Sequence, residues 1–477
     1  MVNARHTWIL LGFTLVGVLR LPVMYAQEPE RLLTLREAVA EALIRNDRVV
    51  NQHDTSERAI LAVRGARNAF EPKIVPNVHG SFGQIDVNGQ EYRLDFSQRF
   101  VNGTELRAGI GASTAQIPST VGGRDIRFYN TDTTVLLSQP LLKGFGTAFS
   151  RRTLTKAEMQ QTEAARQRAI LEQQVTIDVA AAYYRVVAQK ALVKVARQSF
   201  DRARQLREAS EAKLDAGLVS QLDVLRAQQL VFQAELQLFD AQGAADDARD
   251  QLSFLTGREP DEPFDVVGEI PSMVEAITPA DAIAAAMTNR LDLQSAMAEA
   301  ADAERAISFA RNQLRPQVDL NLAFTRRQTA ETFSHSFGLN GFQFATFLNV
   351  LMPIDRTPQE IEYQSALLDR DRLRRGVDNV RRRIRDDVAR QMRDRDRALR
   401  NLTGAERNVQ IAQREVEVAR LRYERGLSNN LDVITAETNL LSAESRRILT
   451  LGELAVMRLS LRATMGVLNP TRDTDVP

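Results

Sequence analysis

The residue types that perform chemistry are sparse in this 477-residue chain and badly spaced for it. There is no cysteine, which excludes disulfides, thiolate metal sites, thiol nucleophiles and acylation of an N-terminal Cys. The four histidines, His6, His53, His79 and His335, lack metal-ligand spacing. Gly144-Phe145-Gly146 is not followed by the Lys-Ser or Lys-Thr of a phosphate loop. An Arg-rich run from Arg370 to Arg400 would suit nucleic acid, but Asp369, Asp371, Asp378, Asp386, Asp387, Asp394 and Asp396 interleave with it. That pattern reads as a solvated helix face with i,i+4 pairs. The expectation is no enzyme, no cofactor, no metal and no nucleic-acid partner. The carboxylates that stand out are Asp223 and Asp432, because they fall at the same place in a stretch that occurs twice.

That stretch reads Ala-Gly-Leu-Val-Ser-Gln-Leu-Asp-Val-Leu over 216–225 and Arg-Gly-Leu-Ser-Asn-Asn-Leu-Asp-Val-Ile over 425–434. Gly217 and Gly426 let a helix end in a left-handed conformation, and Ser220 and Asn429 can cap the next one. Each copy is expected to be the tip of a helical hairpin. Asp223 and Asp432 would then stand in the first turn of the returning helix, where the helix dipole favours a negative charge.

A second repeat sets the larger plan. Ala-Arg-Asn-Ala-Phe-Glu-Pro-Lys-Ile over 66–74 corresponds to Ala-Arg-Asn-Gln-Leu-Arg-Pro-Gln-Val over 310–318. The expected organisation is a secretory signal over 1–26, with an apolar run from Trp8 to Leu19 and a small residue at Ala26. A first repeat follows over 27–257, with a helix at 33–71, strands at 73–140 and a helical hairpin at 148–257. A Pro-containing linker over 258–278 joins it to a second repeat over 279–468, with a helix at 279–315, strands at 317–353 and a hairpin at 357–467; residues 469–477 form a tail.

The helical parts carry heptads. Val175, Val179, Ala182, Val186, Val193, Ala196, Phe200 and Ala203 form one seam, and Leu402, Ala405, Val409, Ala412, Val416, Ala419 and Tyr423 form another. Beyond the tips, Leu222, Leu225, Phe232, Leu236 and Phe239, and Leu431, Ile434, Leu441 and Ile448, are expected to continue them. Residues 150–215 contain no Pro or Gly, so their helix would be on the order of 100 Å long. Elsewhere the period changes to two, as in Val318, Leu320, Leu322 and Phe324. Eleven of the twenty Phe lie in 73–145 and 317–350, a concentration that fits the aromatic girdles of a membrane barrel. About four to six strands cannot close such a barrel, whose smallest form has about eight, and lipid does not tolerate an open edge. Several chains must share one barrel if these strands are membranous.

With both repeats in view, the sequence resembles the TolC-like outer-membrane efflux proteins. The duplicated tip, the helix opening Leu33-Thr34-Leu35-Arg36-Glu37-Ala38-Val39, Pro72 and Pro316 before the strands, and Ser138-Gln139-Pro140-Leu141 ahead of a long helix carry the likeness. It implies a mainly α fold in which long antiparallel coiled-coil hairpins form an α-barrel and strands join a shared trimeric transmembrane β-barrel. It also implies the exit duct of a tripartite efflux or type I secretion system, in the outer membrane and the periplasm, working with a periplasmic adaptor and an inner-membrane transporter. By the same likeness Asp432 would form an acidic ring at the periplasmic gate, Asp223 and Tyr423 would tie neighbouring hairpins, and Gly217, Leu218, Gly426 and Leu427 would receive the adaptor. Two departures are visible. Ser428 stands where the family carries a gate-linking Arg, and the strand region 73–140 exceeds the family minimum, with a hairpin turn at Val101-Asn102-Gly103-Thr104. The other reading of the same residues is a periplasmic coiled-coil scaffold without a pore.

Overall fold

The structure is a computed structural model that describes residues 31–81, 89–117, 126–259, 262–268, 270–271, 276–338 and 340–474. The signal expected over 1–26 and the end of the tail lie outside these residues. In chain order the elements are β1 (Arg31–Leu33), α1 (Leu35–Arg45), α2 (Asp47–Asn68), β2 (Lys73–Ser81), β3 (Gly89–Arg99), β4 (Glu105–Ile117), β5 (Ile126–Pro140), α3 (Thr147–Ser150), α4 (Arg152–Asp215) and α5 (Gln221–Thr256). The second half continues with β6 (Phe264–Val266), α6 (Pro279–Asn289), α7 (Leu291–Gln313), β7 (Gln317–Ala330), α8 (Phe333–Ser336), β8 (Gln343–Leu351), α9 (Thr357–Glu424) and α10 (Asn430–Thr464).

The helix expected over 33–71 is two helices. Thr34 and Glu37 open α1 with a capping box. Asn46 then ends it. Its Oδ1 accepts from the Arg48 amide at 3.0 Å, starting α2, and its Nδ2 donates to the Leu255 carbonyl at 2.8 Å. One side chain thus caps the start of α2 and the end of α5, so these two helices follow one another along α4. The helix expected over 279–315 breaks likewise at Arg290, whose guanidinium bonds Asp292 at 2.6 Å.

The linker holds structure that its composition did not suggest. Strand β6 pairs in parallel with β1, and Leu33, Phe264 and Val266 are buried in one core with α1, α4 and α5. The Tyr183 hydroxyl donates to the carbonyls of Leu33 and Val267, and burial, helped by Tyr184, pushes its pKa up to about 12. Beside it the fully buried Arg258 side chain bonds Glu41 at 2.7 and 2.8 Å.

At about 1.5 Å per residue, the 64 residues of α4 and 68 of α9 each span roughly 100 Å. α5 packs on α4 and α10 on α9, while α4 also packs on α10, so the hairpins lie abreast in the order α5, α4, α10, α9. The expected seams on α4 and α9 are buried, Val193 and Phe200 only partly. The seam expected on α5 is not: Leu222, Leu225, Phe232, Leu236 and Phe239 are exposed, and Val224, Ala227, Val231, Ala234 and Leu238 are buried instead. On α10 Leu431 is likewise exposed, while Val433, Ala436, Leu440 and Ala443 are buried. The inner stripes are richer in Ala, which lets helices approach closely. The bulkier stripe on α5 is left for another surface. In the Arg-rich run the ion pairs along the helix are i,i+3, as in Asp378–Arg381 at 3.3 Å, or between adjacent residues, as in Arg395–Asp396 at 2.8 Å, and Arg374 reaches Glu304 on α7 at 2.6 Å. Among the described residues of the run none is i,i+4.

The remaining strands form one antiparallel sheet in the order β2-β3-β4-β5-β7-β8. The hairpin signalled by Gly103 is therefore inside the sheet, between β2 and β5. Gly103 takes φ 96° at its turn.

Candidate functional site

The two tips have the same backbone. After α4, the Leu218 amide bonds the Lys213 carbonyl at 2.8 Å and the Gly217 amide bonds the Leu214 carbonyl at 2.8 Å. After α9, the Leu427 amide bonds Arg422 at 2.8 Å and the Gly426 amide bonds Tyr423 at 3.1 Å. Both are Schellman ends, and Gly217 and Gly426 take φ 67° and 72°, where a Cβ would be strained. The next residues, Leu218 and Leu427, stand 73 % and 68 % exposed, although a Schellman end usually folds that side chain back onto its helix.

The returning helices begin differently. The Ser220 hydroxyl and amide donate to Asp223 Oδ2 at 2.7 and 3.1 Å, while Ser220 Oγ accepts from the Asp223 amide at 3.3 Å. Asn429 Oδ1 accepts from the Leu431 amide at 3.1 Å. Asp432 lies in the first turn of α10, exposed, and no hydrogen bond or ion pair engages its carboxylate among the described residues.

Asp223 and Tyr423 both sit where the hairpins meet, but within the chain their side chains do not bond each other. The Asp223 carboxylate is taken by its cap, with Arg226 at 3.8 Å. The buried Tyr423 hydroxyl lies 2.8 Å from Ser210 Oγ. Ser210 spends its only proton on the Leu206 carbonyl at 2.8 Å, so Tyr423 is the donor. Lys213 Nζ lies 4.0 Å above the Tyr423 ring centre and donates to the Tyr423 carbonyl at 2.5 Å. On the other side the buried Asn430 donates through Nδ2 to the Asp223 carbonyl at 2.5 Å. Higher up, the buried Glu437 accepts from Arg202 at 2.7 Å and from Arg420 at 2.7 and 3.1 Å.

Ser210, Lys213, Asn430 and the Arg202–Glu437–Arg420 group are ties between the hairpins that sequence reasoning missed. One signal was available: Glu437 lies four residues after Val433 and three before Leu440, an inward position for a charge. Ser428, in the place of the family's Arg, has a buried hydroxyl without a partner among the described residues. No cluster of His, Asp and Glu that could hold a metal occurs among the described residues, and no described helix is long and apolar enough to cross a membrane.

The family model of the outer membrane efflux protein matches residues 40–258 and 282–467, most of both repeats. The chain belongs to the outer membrane efflux protein family. Protein CyaE of Bordetella pertussis is 29 % identical over 337 residues, which cover 68 % of this chain and 69 % of that protein. Among solved structures, the fold is similar to the outer membrane protein VceC of Vibrio cholerae, with a TM-score of 0.67 at 16 % identity over 91 % of this chain and 96 % of that one. It is also similar to the open state of the Neisseria gonorrhoeae MtrE outer membrane channel, with a TM-score of 0.66 at 17 % identity over 92 % and 90 % of the two chains. At these identities the likeness is one of fold. As an outer membrane efflux protein the chain is a passive channel of the outer membrane that extends into the periplasm, and it is not an enzyme.

Proposed function

We propose that three copies of this outer membrane efflux protein close one continuous duct, the exit conduit of a tripartite efflux or type I secretion system. The observation that carries the reading is that the chain is open along both of its long edges. Among the described residues β2 and β8 each pair with a single strand of the sheet, and both are exposed along nearly all their length. Among the helices, the exposed stripe of Leu222, Leu225, Phe232, Leu236 and Phe239 on α5 and that of Ile411, Val418 and Leu421 on α9 lie at the two outer edges. An apolar stripe on one edge facing an apolar stripe on the next copy's opposite edge gives a closed ring without a free side. The sheet edges follow the same rotation, β2 running up beside a β8 that runs down, and closure removes the edges that lipid forbids. Light scattering of detergent-purified protein should give three copies per particle. A monodisperse monomer overturns the reading.

The hairpin ends are the docking place for the periplasmic adaptor, which couples the duct to an inner-membrane transporter. Leu218 and Leu427 support this, since they hold apolar side chains in water at the end of each hairpin. Leu218→Asp with Leu427→Asp should abolish export while the assembly remains intact, and export that persists sinks the docking role. Asp432, with no partner among the described residues, forms a carboxylate ring at the narrow end that favours cations. Tyr423 and the Asp223 segment hold the hairpins together there.

A further inference from the structure

We propose that the hairpin β3–β4 spans the membrane as part of the wall, so that three chains close a barrel of eighteen strands, six from each. The inference rests on the trimeric reading for its strand total, but the position of the hairpin stands on the chain alone. β3 and β4 lie between β2 and β5 with an unbroken antiparallel ladder on every side, and among the described residues β3 is the only strand that β2 pairs with. They are 11 and 13 residues long, against the about 9–11 residues a tilted strand needs to cross a bilayer. The turn between them lies at the same end as the start of the helices, where Ser150 of α3 donates to the Val101 carbonyl and Thr104 bonds Gln139.

The two faces of the hairpin fit lipid and lumen. Register places Leu94, Phe96, Ala108, Ile110, Val135 and Leu137 on one face, continuous across β3, β4 and β5. The other face carries ions. Arg93 bonds Asp95 at 2.9 Å and reaches over β4 to Asp132 on β5 at 3.3 Å, while Asn77 on β2 donates to Asp95 at 3.0 Å. The space for this crossing comes from Gly109 and Gly111 on β4. A Cβ on the first would stand 2.8 Å from Asp95 Oδ1, and on the second 2.5 Å from Asp132 Oδ1. Such a group cannot face hydrocarbon, so the charged face lines the water-filled side and the apolar face meets the acyl chains.

The circumference agrees. Six strands about 4.8 Å apart and tilted by about 40° cover about 38 Å per chain, and four strands would cover about 25 Å. Four helices abreast at about 8–10 Å cover about 32–40 Å. Six strands therefore match the helical wall beneath them, and four fall short.

The absence of native cysteine makes the test direct. Single spin labels are placed at Leu94→Cys and Ile110→Cys, and at Glu91→Cys and Arg107→Cys on the opposite face, in protein reconstituted in bilayers. Collision with oxygen should dominate at the first pair and collision with a water-soluble nickel chelate at the second. Distances between the three copies of one label should correspond to backbone positions about 31 Å apart, the side of the triangle in an eighteen-stranded barrel, rather than the about 21 Å that a twelve-stranded barrel containing this hairpin would give. Nickel access at all four sites, or the shorter distance in an intact trimer, overturns the proposal. Alternating access without a single inter-copy distance keeps the spanning hairpin and sinks the trimer instead. Because Leu94, Ile110 and Arg107 are exposed, labels there are compatible with folding, and trimer mobility in native gels checks this for each variant.

Discussion

Tyr183 shows how a single residue can stabilise a junction that the sequence leaves open. Its hydroxyl donates to two carbonyls, one beside β1 and one beside β6, and the neutral form is the one that fits. Its folded pKa is raised to about 12, above the ordinary value near about 10. Stability from this group is therefore complete below about pH 10 and is lost as pH rises towards about 12. Tyr183→Phe should cost about 1 kcal/mol at neutral pH, the usual net worth of a hydrogen bond, and should flatten the alkaline decline. Thermal unfolding of both proteins between pH 7 and 12 checks it, and equal alkaline declines would show that Tyr183 is not the titrating group. Neither Tyr183 nor Arg258 announces itself in the sequence, because partners 84 or more residues away supply their meaning. Gly217, Gly426 and Ser220 were legible because a helix end is a local event, decided within a few residues.

At the scale of the element, period was the reliable signal and face was not. The long helices, the tips and the strands of both repeats follow from heptads, Gly and alternation, yet the stripe assigned to the inner seam of α5 proved to be the outer one. A helix with two apolar stripes satisfies a heptad rule twice, and only packing decides which stripe turns inward. Here the Ala-bearing stripe does, since small side chains let α4 and α5 approach. The consequence is testable. Phe232→Asp with Leu236→Asp puts charge on the outer stripe and leaves Val231 and Ala234 in place. The hairpin should keep its helical circular dichroism while the trimer dissociates in detergent. A trimer of unchanged thermal stability would mean that α5 meets no neighbouring copy through this stripe. The breaks at Asn46 and Arg290 carry neither Gly nor Pro to mark them: Asn46 acts partly through the end of α5, and Arg290 through Asp292 and, on α9, Asp387.

At the scale of the whole molecule, the two hairpins are joined along their length but tied by polar groups at only a few heights near the tips. Sliding α9 and α10 away from α4 and α5 would break the Tyr423–Ser210 bond, the Lys213 contact and the Asn430–Asp223 bond together, while the Ala-bearing seams within each hairpin stay closed. These ties and the Asp432 carboxylates should therefore govern different properties of the open duct. Tyr423→Phe with Asn430→Ala removes two ties and no charge, so conductance in planar bilayers should rise through dilation while ion selectivity changes little. Asp432→Asn removes a charge with almost no change of size, so cation selectivity should fall while conductance through the widened form stays comparable. The contrast is clearest at low ionic strength, since at 0.01 M salt the screening length of about 30 Å lets three carboxylates act as one field. If Asp432→Asn matches the parent selectivity under those conditions, the narrowest point of the duct is not at the start of α10, and the carboxylate serves only to complement the helix dipole there.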